Sequence, residues 1–397
     1  MKNFKRLLRL SIPCICMVIV SCKSAETTKT HIINFSEAID NIGLINLSEV
    51  AKSIRYVPLE TREEALIGEY VNISYDGNYI VAADILTGII KVFDTEGRLI
   101  RVIDRVGRGP EEYLPVIVNL SFFNGNIIVM TSREIVEYDI SGNYIRRIAT
   151  PAVEGYRVGN PTIIGENQYT VAIFDITLNN EYCAVVYDSM LNINQRIATP
   201  GNTKSQRLHG GGIGSAQIIK AFPAKTFQYG ERSLLFYPES EEILYVNKTH
   251  AIDTAFIIEY GGYRVPDGVI TLDLLNNGRY ISLASFVESE DFLFMDMNTM
   301  ATINGIRRSY SLYDKKTGKS SILYDEAENK TGFKDNIVGG PEFWPKSVFG
   351  KKTLLSDISA LSLIEFAENN TVSKDLEKIV SAMDENSNPV IAIVELK

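Results

Sequence analysis

The chain has 397 residues, is 45% hydrophobic and 22% charged, and carries a formal net charge of −9. These proportions belong to a globular protein and exclude disordered, collagenous and polytopic membrane classes. An acidic chain also lacks the basic footprint of a nucleic-acid binder, so no nucleic-acid partner is expected.

Residues 1–21 read as an export signal. Lys2, Lys5, Arg6 and Arg9 precede the mostly apolar residues 10–20. That stretch is too short to span a membrane, which takes about 20 residues. It ends in Ile19-Val20-Ser21-Cys22, which resembles the lipobox of bacterial lipoproteins, with Ile in place of the usual Leu. Cys22 is therefore the expected lipidation site and the membrane the expected partner at that end. Each buried CH₂ of an acyl chain contributes roughly 0.8 kcal/mol, so several chains anchor stably. Loss of four basic residues with the signal makes the mature chain more acidic still. Residues 22–45 are expected to be tether and lead-in, with residues 23–30 (KSAETTKT) the polar tether. The expected location is the cell envelope, at the outer membrane, on either its periplasmic or its surface side.

Of the four cysteines, Cys14 and Cys16 leave with the signal and Cys22 carries lipid. Cys183 stands alone, so no intramolecular disulfide can form. Its setting, Tyr182-Cys-Ala-Val-Val-Tyr187, is that of a buried strand residue.

Residues 46–397 are expected to be one domain. A unit of strand, short Asp/Asn/Gly turn and strand recurs at residues 89–103, 135–148, 184–197, 243–258 and 309–323. The fourth copy has Asn247 where the others have Asp. Period-2 alternation around such turns predicts hairpins. Two further strands precede the first two units, at residues 70–75 and 79–84 and at residues 116–123 and 127–131. Four strands per unit, repeated every roughly 45 to 70 residues, predicts an all-β propeller. Residues 389–397 follow no complete hairpin and residues 53–60 precede the first full blade. Their pairing would make a sixth blade and close the ring. Helix-period apolar residues (Leu361, Ile364; Leu376, Ile379, Val380, Met383) predict a small helical insertion between the second and third strands of that blade.

With strands labelled a to d from the axis outward, the a–b and c–d connections share one face. They are short. The b–c and d–a connections share the other face, and they are long: residues 61–69, 104–115, 151–161, 200–222, 261–279 and 325–345. Long loops on a rigid scaffold are where binding sites form. Three stand out. Arg105-Val-Gly-Arg-Gly-Pro-Glu-Glu-Tyr113 offers glycine N–H groups beside Arg108, with Glu111 and Tyr113 close by. His209 opens a glycine-rich run (residues 209–214) that lacks the Lys-Ser/Thr of a phosphate loop. Residues 332–345 carry Asp335, Phe343 and the only tryptophan, Trp344; the two rings either stack on a sugar or peptide or, the favoured reading, pack in the core of the sixth blade.

The segments Tyr56-Val-Pro-Leu-Glu-Thr61, Gly107-Arg-Gly-Pro-Glu-Glu-Tyr113, Gly339-Gly-Pro-Glu-Phe-Trp-Pro345 and 388–397 resemble the six-bladed β-propeller lipoproteins of Bacteroides-type bacteria. Residues 107–148 also resemble an NHL repeat. The family often has Gly where Glu111 stands. The resemblance implies an envelope lipoprotein and leaves the ligand open.

The expected function is a lipid-anchored, monomeric binding module that takes a glycan, peptide or envelope protein on its long-loop face. Membership of a fixed envelope complex is a third role. The alternative is a metal-assisted propeller hydrolase or lyase acting at the central channel. No His-x-His pair or Gly-x-Ser-x-Gly elbow occurs, so no cofactor is expected unless it is calcium. Asp267, Asp273, Asp335 and Glu342 are the carboxylates such a site would use.

Overall fold

The computed structural model describes residues 29–68, 71–175, 181–199, 224–229, 232–237, 241–249, 251–264, 280–303, 306–325 and 330–397. Its main sheets are six antiparallel blades around one axis. Blade I is Val71–Tyr75, Tyr79–Asp84, Ile90–Asp94 and Leu99–Ile103. Blade II is Asn119–Phe123, Asn126–Met130, Glu134–Tyr138 and Tyr144–Ala149. Blade III is Tyr156–Gly165, Gln168–Asp175, Tyr182–Asp188 and Ile193–Ala198. Blade IV is Lys225–Tyr229, Arg232–Phe236, Glu242–Val246 and Ile252–Glu259. Blade V is Ile281–Glu288, Phe292–Ile303, Ile306–Asp314 and Ser320–Asp325. Blade VI is Ser347–Phe349, Thr353–Ile358, Val390–Leu396 and, outermost, Ala51–Pro58.

The middle strands are buried on both sides, and alternation divides their side chains between two seams. In blade I, Ile80, Ala82 and Phe93 face blade VI, whereas Val81, Ala83, Ile90 and Val92 face blade II. The same division fills every seam with its own apolar cluster. Burying a Val, Leu or Ile side chain stabilises by roughly 1.5–3 kcal/mol, so each blade depends on both neighbours. Cys183 belongs to the blade III–IV seam, where burial pushes its thiol up to about 12. It is an apolar core residue and a poor nucleophile at neutral pH.

The ring closes as the sequence predicts. Val390–Leu396 pairs antiparallel with Ala51–Pro58, from Val390 opposite Pro58 to Leu396 opposite Ala51. The helical insertion also lies where expected. It consists of α3 (Ala360–Asn369) and α4 (Lys374–Ser381), between the second and third strands of blade VI. Ser359 and Ser373 cap their first turns, and Leu363 and Leu376 sink into the blade V–VI cluster.

The lead-in is built into the wheel rather than hanging from it. His31–Asn34 adds a parallel fifth strand to blade IV, from His31 opposite Phe256 to Asn34 opposite Glu259. Helix α1 (Phe35–Asp40) follows, with the Asn34 carboxamide oxygen accepting from the Ser36 and Glu37 amides. The Gly43 amide then donates to Ile322 of blade V at 3.0 Å, and Ile45–Asn46 pairs with Phe333–Lys334. After the short α2 (Leu47–Val50) the chain enters blade VI. Phe35, Ala38 and Leu47 are fully buried, which explains why this stretch cannot stay a free tether.

Candidate functional site

The face of short turns is built from a repeated local device. Asp139 closes strand c of blade II and accepts from the Ser141 and Asn143 amides at 2.8 and 2.9 Å. Asp188 does the same for Met190 and Asn192 in blade III, and Asn247 for Thr249 and Ala251 in blade IV. A side-chain oxygen that mimics a turn carbonyl explains the recurring Asp or Asn. The Asn143 carboxamide hydrogen bond, with backbone N–H groups, holds the Asp139 carboxyl below its ordinary range.

Most of the loop candidates serve the architecture. The glycine N–H cradle predicted at residues 105–113 is filled from within: Glu112 Oε2 accepts from the Gly109 amide at 2.8 Å. A Cβ on Gly107 would stand 1.9 Å from that carboxylate. The loop therefore binds its own anion. Tyr113 is fully buried and donates to the Gly88 carbonyl at 2.7 Å, so it is not presented to a ligand. Glu111 stays at the surface, 3.9 Å from Arg105, and Arg108 is exposed with no ion pair among the described residues.

Residues 332–345 are likewise committed inward. Asp335 is 4% exposed and accepts from the Tyr56 hydroxyl at 2.9 Å and from the Ile337, Val338 and Gly340 amides. Those four donors leave it unsuited to calcium or a ligand. A Cβ on Gly340 would fall 2.0 Å from the Tyr56 hydroxyl, so only glycine permits the contact. Glu342 pairs with Lys330 at 3.3 Å. Phe343 is buried, and Trp344 stacks on Tyr310 with centroids 4.4 Å apart in the blade V–VI seam. Of the two expectations for these rings, core packing is the one the geometry shows. Among the described residues no three His, Cys, Asp or Glu side chains converge as a metal site. Cys22, His209, Asp267 and Asp273 lie outside the described residues.

Among the described residues a cavity of about 630 Å³ forms the central channel, lined by the innermost strands of all six blades. Its polar side chains follow from strand alternation. Val71, Ile73 and Tyr75 turn into the blade VI–I seam, and Leu120 and Phe122 into the I–II seam. Asn72 and Ser74, and Asn119 and Ser121, are turned the other way and line the channel. The repeat Val-Asn-x-Ser at 71–74 and 118–121 is visible in the sequence, but its meaning depends on which strand is innermost.

Each innermost strand starts at the long-loop face and ends at an a–b turn. Asn72, Asn119, Asn160, Thr226 and Ser347 are accordingly near the long-loop mouth. The Asn72 amide donates to the Ile117 carbonyl at 3.2 Å, and the Thr226 hydroxyl to the Asn160 carbonyl at 2.8 Å. Ser74, Ser121 and the Asn160 side chain make no hydrogen bond among the described residues. Lys346 and Asp357 neutralise each other at that rim, 2.8 Å apart. The opposite end is aromatic, with Tyr75 against Phe349 at 5.4 Å and the Tyr75 hydroxyl donating to Gly77 of the turn.

Beside that aromatic end lies a buried ionic cluster that sequence reasoning missed. The Glu288 carboxylate, wholly buried, accepts from Lys315 Nζ and the Tyr245 hydroxyl. Lys315 also donates to the Ser289 carbonyl at 2.7 Å and stands over the Tyr229 ring. Desolvation raises the Glu288 carboxyl and lowers the Lys315 ammonium from their ordinary values, against the attraction between them. In the sequence, Glu288 looks like one more turn acid beside Glu290 and Asp291.

These features define a closed six-bladed β-propeller whose channel is polar at one mouth and aromatic at the other. The chain belongs to the family described as "Domain of unknown function (DUF4934)", which matches residues 30–395. In fold it is similar to a Bacteroides fragilis protein described as exported, at a TM-score of 0.68 and 17% identity, over 92% of this chain and 99% of that one. A DUF4221 family member from Bacteroides vulgatus (TM-score 0.46, 12% identity, 88% and 97% covered) and virginiamycin B lyase from Staphylococcus aureus (0.38, 9%, 86% and 99%) are more distant, and neither likeness carries an argument. No curated protein matches the chain.

Proposed function

We propose that this protein is an exported, lipid-anchored propeller of the cell envelope that binds its ligand in the central channel, entered from the long-loop face. The observation that carries the reading is the inequality of the two mouths. On the long-loop side the channel offers the Asn160 carboxamide at the mouth and the Ser74 and Ser121 hydroxyls one step deeper, all without a hydrogen-bond partner among the described residues, whereas the turn face is knit by its own Asp and Asn side chains. Cys22 would carry the lipid. The eight residues between it and His31 reach at most about 30 Å, which keeps the wheel close to the membrane.

The anchor is tested by labelling cells with an alkyne fatty acid: label that disappears in Cys22→Ala supports it, and label that persists rejects it. The binding reading is tested by plugging the channel with Ser74→Trp and Ser121→Trp. Wild-type protein should retain an envelope component, identified by mass spectrometry, that the folded double variant does not. Equal retention by both would reject the channel as the site.

A further inference from the structure

Resting on that reading, we infer that the channel's ligand is an uncharged oligosaccharide. The lining is the reason. Its hydrogen-bonding groups are neutral and arranged in two tiers, Asn72, Asn119 and Asn160 near the mouth and Ser74 and Ser121 one step deeper. Carboxamides and hydroxyls both donate and accept, which is what a polyol requires of its partners.

The charged side chains among the lining residues are already neutralised within the protein. Lys346 is paired with Asp357, and Glu288 is sealed against Lys315. Among the described lining residues an acidic glycan would meet no free cation, and a basic peptide no free carboxylate. Burying such an unpaired charge is costly, so this lining discriminates against both. Below the polar tiers the channel is bordered by aromatic rings at two seams, Tyr75 against Phe349 between blades VI and I and Phe227 against the buried Phe286 between blades IV and V. Flat apolar rings suit the C–H faces of pyranose rings as neutral polar groups suit their edges. A cavity of about 630 Å³ falls within the range of sites that enclose a small organic ligand. It can hold a short run of sugar rings but not a folded partner.

The test is a binding titration of purified protein against maltoheptaose, xylohexaose, mannohexaose and chitohexaose. Polygalacturonate and an Ala–Lys peptide serve as the charged comparisons. At least one neutral oligosaccharide should bind saturably and raise the thermal midpoint. Asn119→Leu and Ser121→Ala should each weaken it by about fivefold or more, the loss expected for one hydrogen bond, while Ser121→Thr retains most affinity. Ser74→Trp should abolish binding in a protein whose circular dichroism is unchanged. Saturable binding of only the polygalacturonate or the peptide, blocked by Ser74→Trp, would overturn the ligand class and leave the channel reading intact. Neutral-sugar binding that Ser74→Trp does not alter would overturn both. Failure of all four neutral probes to bind would overturn the carbohydrate assignment, and the retention experiment above would then decide the channel alone.

Discussion

His31 shows how one side chain fixes the lead-in. Its ring stacks on Phe256 at 5.5 Å, and its Nδ1 is 3.3 Å from the Tyr313 hydroxyl. Partial burial, with repulsion from Lys315 and then Lys29, lowers its pKa below the ordinary 6.5. The unfolded segment therefore takes up a proton at a pH where the docked segment does not. The contribution of this ring is complete above about pH 6.5 and is lost as the pH falls below it. Hydrogen exchange of the Ile32 and Ile33 amides, corrected for intrinsic rates, should quicken between pH 7.5 and 5.5 in wild type. His31→Phe should show no such change, and equal behaviour of the two would contradict this account. Lys315 is the second residue with a sharp consequence. Lys315→Met strands the buried Glu288 charge and should cost about 3–5 kcal/mol in urea denaturation, whereas the double variant with Glu288→Leu should recover most of it. No recovery would show that the pair is not the coupled unit described.

Among the elements, closure of blade VI depends on more than its strand ladder. Asn388, just before Val390–Leu396, donates to the Glu60 and Ala65 carbonyls at 2.7 and 2.8 Å and accepts from the Ile67 amide at 2.8 Å. Asn388→Ala leaves those buried backbone groups unpaired and should cost about 1–3 kcal/mol. An unchanged urea midpoint would contradict the closing role. The motif segments acquire their physical meaning in this region. Tyr56 of the Tyr-Val-Pro-Leu-Glu segment donates to Asp335, which in turn holds Gly340 of the Gly-Gly-Pro-Glu-Phe-Trp-Pro segment. The blades and the helical insertion were legible in the sequence because each follows from local periodicity, and the closing pair because its two strands remain over once the hairpins are assigned. The lead-in belt was not legible. Its strand His31–Asn34 is four residues long and pairs in parallel with a partner more than two hundred residues away. No local pattern announces such a contact. The loop candidates were ambiguous for a related reason. Glycines, charges and aromatics shape a tight connector by the same chemistry with which they hold a ligand, and only the filled cradle at Glu112 separates the two.

Across the whole molecule the fold is close to sixfold, and the chemistry is not. Turn-face Asp and Asn residues repeat because blades I to V each need the same c–d turn. The long-loop mouth differs from blade to blade, with Asn in blades I to III, Thr226 in IV and Ser347 in VI. This asymmetry was half visible in the sequence, in the unequal loop lengths. The residues that give it chemical character were hidden, since their channel exposure depends on strand register and on the position of strand a at the axis. The belt of residues 31–46 adds a second asymmetry, covering the rim of blades IV and V and leading into blade VI. Hydrogen exchange mapped over the whole wheel, with and without a saturating envelope ligand fraction, tests the central claim most directly. The account predicts new protection at residues 71–74, 118–121 and 346–348, with none at the turns 76–78, 95–98 and 141–143. Protection confined to those turns or to the outer strands would contradict it.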